Sequence, residues 1–134
     1  MKKLLLTLVT IATVAFVGCK KEEIDSNGVV ADIVNTSWSQ SSEYTSGGET
    51  YRDTETFSFS SGGNVTFINT IRSLGVSGTS TTNTYYGSYV YTAPNIQIVL
   101  RLDETYIVSY TGTILGSMLS LEDKNGSKYI YYRD

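Results

Sequence analysis

Beyond residue 35 the chain is a succession of short runs in which apolar and polar side chains alternate, broken by turn-forming residues about every ten positions. A period of two is the mark of a half-buried strand, because successive side chains leave a β-strand on opposite faces. The runs fall at 38–44, 51–60, 65–71, 85–92, 96–101, 106–113, 118–121 and 128–133. Ile96, Ile98 and Leu100 share one face; so do Phe57 and Phe59, Val65 and Phe67, and Tyr89 and Tyr91 with Gly87. The breaks contain Gly47-Gly48, Gly62-Gly63-Asn64, Ala93-Pro94-Asn95, Asp103-Glu104, Gly116-Ser117 and Asn125-Gly126. The last of these predicts a two-residue type I′ hairpin, since Asn-Gly tolerates positive φ. The Gly-, Ser- and Thr-rich stretch 73–84 reads as a long loop. Past residue 36 no window holds apolar residues at helical spacing for three turns; only 31–34 suits a single helical turn.

Eight strands joined in sequence favour an antiparallel meander. Closing it into an up-and-down barrel removes both exposed edges, and eight strands leave an interior that side chains fill or one small ligand occupies. The expected fold is therefore all-β, an eight-stranded antiparallel barrel, with a two-sheet β-sandwich as its rival.

The N-terminus is of a different kind. Lys2 and Lys3 precede a run from residue 4 to 17 that is apolar apart from Thr7, Thr10 and Thr13. That is the length of a signal-peptide core and short of the roughly 20 residues a membrane-spanning helix needs. It ends Phe16-Val17-Gly18-Cys19, which resembles a lipobox, with Phe16 where such motifs prefer leucine. Residues 1–18 are thus expected to be a lipoprotein signal peptide, with Cys19 lipidated by acyl chains, palmitate among them. Cys19 is the sole cysteine, so no disulfide partner exists within the chain. Residues 19–34 read as a polar tether. Its Lys21-Glu22-Glu23 is similar to the basic-acidic-acidic signal that carries some Gram-negative lipoproteins to the cell surface. The expected location is the outer membrane, on the outer surface or the periplasmic face.

Composition narrows the function. A net charge of −3 argues against nucleic acid and against electrostatic adhesion to anionic lipid, leaving the anchor at Cys19 as the membrane contact. The chain has no histidine, which removes the usual neutral-pH base and the commonest metal ligand. With the one cysteine assigned to lipid, carboxylate pairs are the chemical groups that remain; two acids such as Asp53 and Glu55 could do glycosidase-type work only at a set spacing across a cleft, nothing else supports that, and neither enzyme activity nor a cofactor is expected.

Within residues 35–133, Thr36-Ser37-Trp38, Phe57-Ser58-Phe59 before a Gly-rich turn and Val65, Gly87-Ser88-Tyr89, Gly112-Thr113, Leu119-Ser120-Leu121 and Tyr132-Arg133 resemble the lipocalin-like domains of small bacterial lipoproteins. Lipocalins carry glycine where this chain has Thr36. The resemblance implies a barrel over 35–134 and an arginine, here Arg133, packed over Trp38 to close its lower end. It also implies a small apolar or amphipathic ligand held inside; the alternative is a filled barrel that contacts another protein.

Strand alternation gives Asp53 and Glu55 the parity of Phe57 and Phe59, which sets the two acids toward one barrel mouth, able to orient a polar or cationic ligand group. With Val65, Phe67, Tyr89 and Tyr91 they make up the expected interior or ligand-contacting set. Asp103-Glu104 and Glu122-Asp123 fall at turns and read as solvated acids.

Overall fold

The computed structural model describes residues 28–76 and 78–134. They form eight strands in sequence: β1 (Thr36–Ser46), β2 (Glu49–Ser60), β3 (Asn64–Ser73), β4 (Ser80–Thr92), β5 (Asn95–Arg101), β6 (Ile107–Leu115), β7 (Met118–Asp123) and β8 (Lys128–Arg133). Each pairs antiparallel with the next, and β8 returns to β1, so the sheet closes into an up-and-down barrel. The barrel, not the sandwich, is the fold.

Turn chemistry fixes the register of each hairpin. Gly47 and Gly48 both have positive φ (60° and 80°) and join Ser46 to Glu49, the two-residue hairpin whose twist suits right-handed strands. Asn125-Gly126 behaves otherwise. Gly126 has positive φ but Asn125 does not, and the ladder closes instead at Glu122 and Lys128, leaving residues 123–127 as the connection. The reason is Asp123, whose Oδ1 accepts hydrogen bonds from the backbone N–H groups of Asn125 and Ser127 and so organises a longer connection. Asp103 does the same after β5, accepting from the backbone N–H groups of Thr105 and Tyr106.

Two further expectations change. The stretch 73–84 is only in part a loop: β3 ends at Ser73, and β4 begins at Ser80 and pairs with β3 as far as Ser80–Arg72, so a shorter connection joins the two strands. Its Ser and Thr residues carry no apolar alternation, yet hydroxyl pairs replace that signal: Thr70 with Thr82 here, and Ser37 with Ser58, Ser39 with Thr56 and Ser41 with Thr54 on the outer face of β1–β2, all at 2.8–3.1 Å. Each such cross-strand pair contributes roughly 0.2–1 kcal/mol. The second change concerns residues 28–34, which belong to the domain and not to the tether. Val29 bridges to Leu115, Gly116 N–H donates to the Gly28 carbonyl, and Val30 and Ile33 are buried. Residues 31–34 form a turn without helix, in which the Asp32 carboxylate accepts from Val34 N–H.

This segment plugs one end of the barrel. Above it, Trp38, Phe57, Phe59, Val65, Ile96, Ile98, Leu100, Ile114, Leu119, Leu121 and Tyr131 form a continuous core. Trp38 is inaccessible to solvent; its Nε1–H donates to Thr36 Oγ1 at 2.8 Å, and that hydroxyl donates to the Ile33 carbonyl at 2.6 Å. Arg133, the register partner of Trp38, lies with its guanidinium carbon 5.6 Å from the indole centroid.

Two glycines let the sheet bend this tightly. A Cβ at Gly87 would lie 1.9 Å from the Val99 carbonyl oxygen, and one at Gly112 would lie 1.9 Å from that of Ser120. Only a residue without a side chain permits the neighbouring strand to approach so closely.

Strand lengths are uneven. The pairing of β1 with β2 runs over the whole of both strands, whereas β8 meets β1 only at Trp38–Arg133 and Ser39–Tyr132, and β5 meets β4 only from Tyr86 onward. The upper halves of β1–β4 therefore rise past β5–β8 as a four-stranded sheet, leaving the barrel open at that end.

Substituting Gly112→Ala is expected to lower unfolding free energy by about 3 kcal/mol, as an overpacked backbone contact must be relieved. Chemical denaturation of the variant against the native chain measures it. Trp38→Ala is expected to cost about 3–5 kcal/mol through the cavity it leaves. Arg133→Ala should cost about 1 kcal/mol, the worth of a partly solvated cation over an indole. Equal losses in these two variants would show that the cation, not the packed ring, closes the barrel.

Candidate functional site

Inward-facing residues change character along the barrel axis. On β2 the inward series reads Phe59, Phe57, Glu55, Asp53, Tyr51, passing from fully buried rings to half-buried polar groups within two positions. The neighbouring strands change at the same level. On β1 Trp38 gives way to Gln40 and Ser42, and on β3 Val65 and Phe67 give way to Asn69 and Ile71. The closed half is a packed core, and the open half is a trough lined with amides, carboxylates and aromatic rings.

Both acids in the trough are held in place. Glu55 Oε2 accepts hydrogen bonds from Gln40 Nε2 at 2.6 Å and from the Tyr131 hydroxyl at 2.7 Å. Asp53 Oδ1 accepts from Asn69 Nδ2 at 2.6 Å. Further up, Tyr51 donates to Glu49 at 3.0 Å and stacks on Tyr44, their centroids 5.5 Å apart. The floor is aromatic: Phe57 meets Phe67 at 4.7 Å, Tyr131 edge-on at 5.0 Å and Tyr110 edge-on at 6.0 Å. Tyr110 meets Tyr129 edge-on at 5.9 Å, and Tyr85 stacks on Phe67 at 6.2 Å. Edge-to-face packing of this kind fixes ring positions.

The phenols stay protonated. Burial, reinforced by the nearby Tyr129, Glu55 and Asp123, pushes Tyr110 up to about 12. Burial and the hydrogen bond to Glu55 push Tyr131 higher still. A neutral phenol is a donor, which is what the Glu55 carboxylate requires. Asp103 and Asp123, by contrast, are held below the usual carboxylate range, chiefly by the backbone N–H groups of Thr105 and Ser127 respectively.

The eight residues expected inside the barrel all take inward-facing register positions, but in two groups. Asp53 and Glu55 line the open half, and Phe67, level with Phe57, forms part of its floor. Phe57, Phe59 and Val65 are 0–2% exposed and belong to the packed half, out of reach of a molecule entering from the mouth. Tyr89 and Tyr91 also sit toward the plugged end: Tyr89 packs edge-on against Phe59 and donates to the Ser60 carbonyl, and Tyr91 donates to the Val30 carbonyl. Cys19 and Lys21-Glu22-Glu23 lie outside the described residues. Gln40, Asn69, Tyr85 and Tyr110 complete the trough and went unremarked in the sequence. Extending the two-residue period of β1 past Trp38 and of β3 past Phe67 would have found Gln40 and Asn69.

Among the described residues no group of three His, Cys, Asp or Glu side chains is arranged to hold a metal ion. No protein-family model, curated protein or solved structure matches this chain.

Alkaline titration checks the phenol environment. The unfolded chain releases its tyrosine protons near pH 10, roughly the ordinary phenol value, whereas folded Tyr110 and Tyr131 keep theirs. Stability should be complete below that pH and fall as pH rises toward the folded values. Tyrosinate absorbance should show these two phenols ionising only as the protein unfolds, and Tyr131→Phe should flatten the dependence of stability on alkaline pH.

Proposed function

We propose that this chain is a non-enzymatic, lipid-anchored protein of the cell envelope whose lipocalin-like barrel binds a small amphipathic molecule in its open half. The observation that carries the reading is the switch of the β2 inward series from Phe59 and Phe57 to Glu55 and Asp53, with both carboxylates already oriented by Gln40, Tyr131 and Asn69. Polar groups fixed before binding cost little ordering entropy when a ligand arrives, and an aromatic floor supplies the apolar contact. The packed lower half serves as a rigid pedestal for the trough.

The position of residue 28 supports an anchor at Cys19. Residue 28 lies beside Gly116 at the plugged end, and the eight residues between it and Cys19 allow a span of at most about 30 Å. Attachment at that end presents the trough on the opposite side from the anchor. Labelling with a palmitate analogue should mark the native chain and spare Cys19→Ser.

Ligand binding is testable with the detergent-extracted full chain, screened by thermal shift against lipids, haem and small aromatic molecules. A ligand that raises the melting temperature should lose about tenfold or more in affinity in Glu55→Gln, since a buried hydrogen-bond partner is worth roughly 1.5–3 kcal/mol when charged. The variant also weakens the bonds that Gln40 and Tyr131 make to this position and should melt somewhat lower, so its affinity is measured by isothermal titration below its own melting transition. Absence of stabilisation by every class in the screen would overturn the proposal.

A further inference from the structure

The seam between β1 and β8 ends while both strands go on. Its last pair is Ser39–Tyr132, yet β1 continues to Ser46, and β8 from Lys128 to Tyr131 has β7 as its one strand neighbour. Backbone direction turns the two edges toward each other. Asp134 N–H donates to the Ser37 carbonyl, so even-numbered residues of β8 and odd-numbered residues of β1 direct their N–H and C=O groups across the gap. Arg133 N–H, by contrast, donates to the Ser117 carbonyl on the β7 side. An unpaired strand edge is a template for another strand, and here each edge has the other as its nearest candidate.

The existing pairs fix the register of any rung that follows. Continued upward, they set Gln40 opposite Tyr131, Ser41 opposite Ile130, Ser42 opposite Tyr129 and Glu43 opposite Lys128. The first of these positions is already bridged by side chains. Gln40 and Tyr131 both donate to Oε2 of Glu55, at 2.6 and 2.7 Å, where backbone pairing is first missing. Charge on the outer face favours the same register. Lys128 is the partner of Glu122 on β7, and Glu43 is the partner of Arg52 on β2, their side chains 2.8 Å apart. Bringing β8 against β1 would complete the row Glu122, Lys128, Glu43, Arg52, in which every neighbour has the opposite sign. Ser41, Glu43, Lys128 and Ile130 are all exposed.

We propose that the first half of β8 is a strap that zips onto β1, adding the rungs Ser41–Ile130 and Glu43–Lys128 and closing the side wall of the trough. Gln40, Glu55 and Tyr131 are the joint about which it moves, and they keep its register in both positions.

The two positions lie close in stability because the inward row at this level is polar. Trp38 draws the lower seam together by burial, whereas Gln40 and Ser42 bring no apolar side chain to it. The added backbone hydrogen bonds replace bonds to water, so their net worth is small. Parted, the strap admits a molecule to the trough from the side; zipped, it leaves the mouth as the way in. Its use as a gate rests on the ligand-binding reading above, but the motion does not.

The test uses the detergent-extracted full chain without ligand, so its outcome is separate from that of the binding screen. In Ser41→Cys combined with Ile130→Cys, zipping sets the two Cα atoms about 5.5 Å apart, within disulfide range. Mild oxidation should close an intramolecular disulfide in this pair about tenfold faster than in Ser41→Cys combined with Lys128→Cys, which is out of register. Peptide mapping assigns the bond, so a thiol at Cys19 is not mistaken for the strap. Hydrogen exchange should show the amides of Ser41, Glu43, Lys128 and Ile130 less protected than Tyr132 and more protected than Gly47. Lys128→Glu should speed exchange at Ser41 and Ile130 about threefold and Lys128→Arg should not, both melting near the native temperature. Equal oxidation of the two cysteine pairs would overturn the proposal. So would exchange at the four amides as fast as at Gly47 or as slow as at Tyr132, or a Lys128→Glu variant that exchanges like the native chain.

Discussion

Everything in this molecule hangs on the seam where the last strand returns to the first. Eight antiparallel strands form a barrel only if β8 finds β1, and here that meeting consists of two residue pairs, Trp38–Arg133 and Ser39–Tyr132, extended by one hydrogen bond from Asp134 N–H to the Ser37 carbonyl. Two pairs of backbone hydrogen-bonding residues are a thin ladder beside the full-length pairing of β1 with β2. What holds the seam is packing: Trp38 is wholly buried, roofed by Arg133, tied through its indole N–H to Thr36 and backed by Ile33 of the N-terminal plug. Burying a large aromatic is worth several times one net hydrogen bond. The seam therefore forms where the core is richest and is absent where the core ends.

That local closure divides the barrel in two. Below the seam the interior is a solid apolar core; above it the inward side chains become carboxylates, amides and phenols, and the barrel is left open. The two halves depend on one another. Glu55 is set in place by Tyr131, whose ring is itself 2% exposed and packed against Phe57 in the core. The polar trough thus inherits the rigidity of the packed half, which a binding site on an isolated four-stranded sheet would lack. The same opening leaves residues 80–85 of β4 and 40–46 of β1 each with one strand neighbour in the barrel.

Much of the fold was legible in the sequence because its signals are local. A period of two survives in any context, so all eight strands were found, and Asp53 and Glu55 took the parity of Phe57 as expected. Turn types were less legible: Asn125-Gly126 reads as a two-residue hairpin until the Asp123 carboxylate, three residues before Gly126, claims the N–H groups around it. The start of β4 was missed because its stabilising pairs are hydroxyl to hydroxyl, Thr70 with Thr82, and a strand polar on both faces shows no alternation. Docking of residues 28–34 escaped for a related reason, since Val30 and Ile33 are too few to register as a pattern before the barrel end they fill is known.

By itself, then, the sequence determined that this is an all-β meander of eight strands, that the meander is long enough to close, and which side chains share a face. Each of these follows from the two-residue period and from turn residues acting on their immediate neighbours. Only the tertiary structure decided how far the closure extends, and with it which inward residues are core and which are trough. Phe57 and Glu55 are adjacent on one face and alike in direction; one is buried and the other reachable because β8 meets β1 at Trp38 and Ser39 and goes no further. That stopping point is set by strand lengths on opposite sides of the barrel, a comparison between residues almost a hundred positions apart that no local pattern encodes.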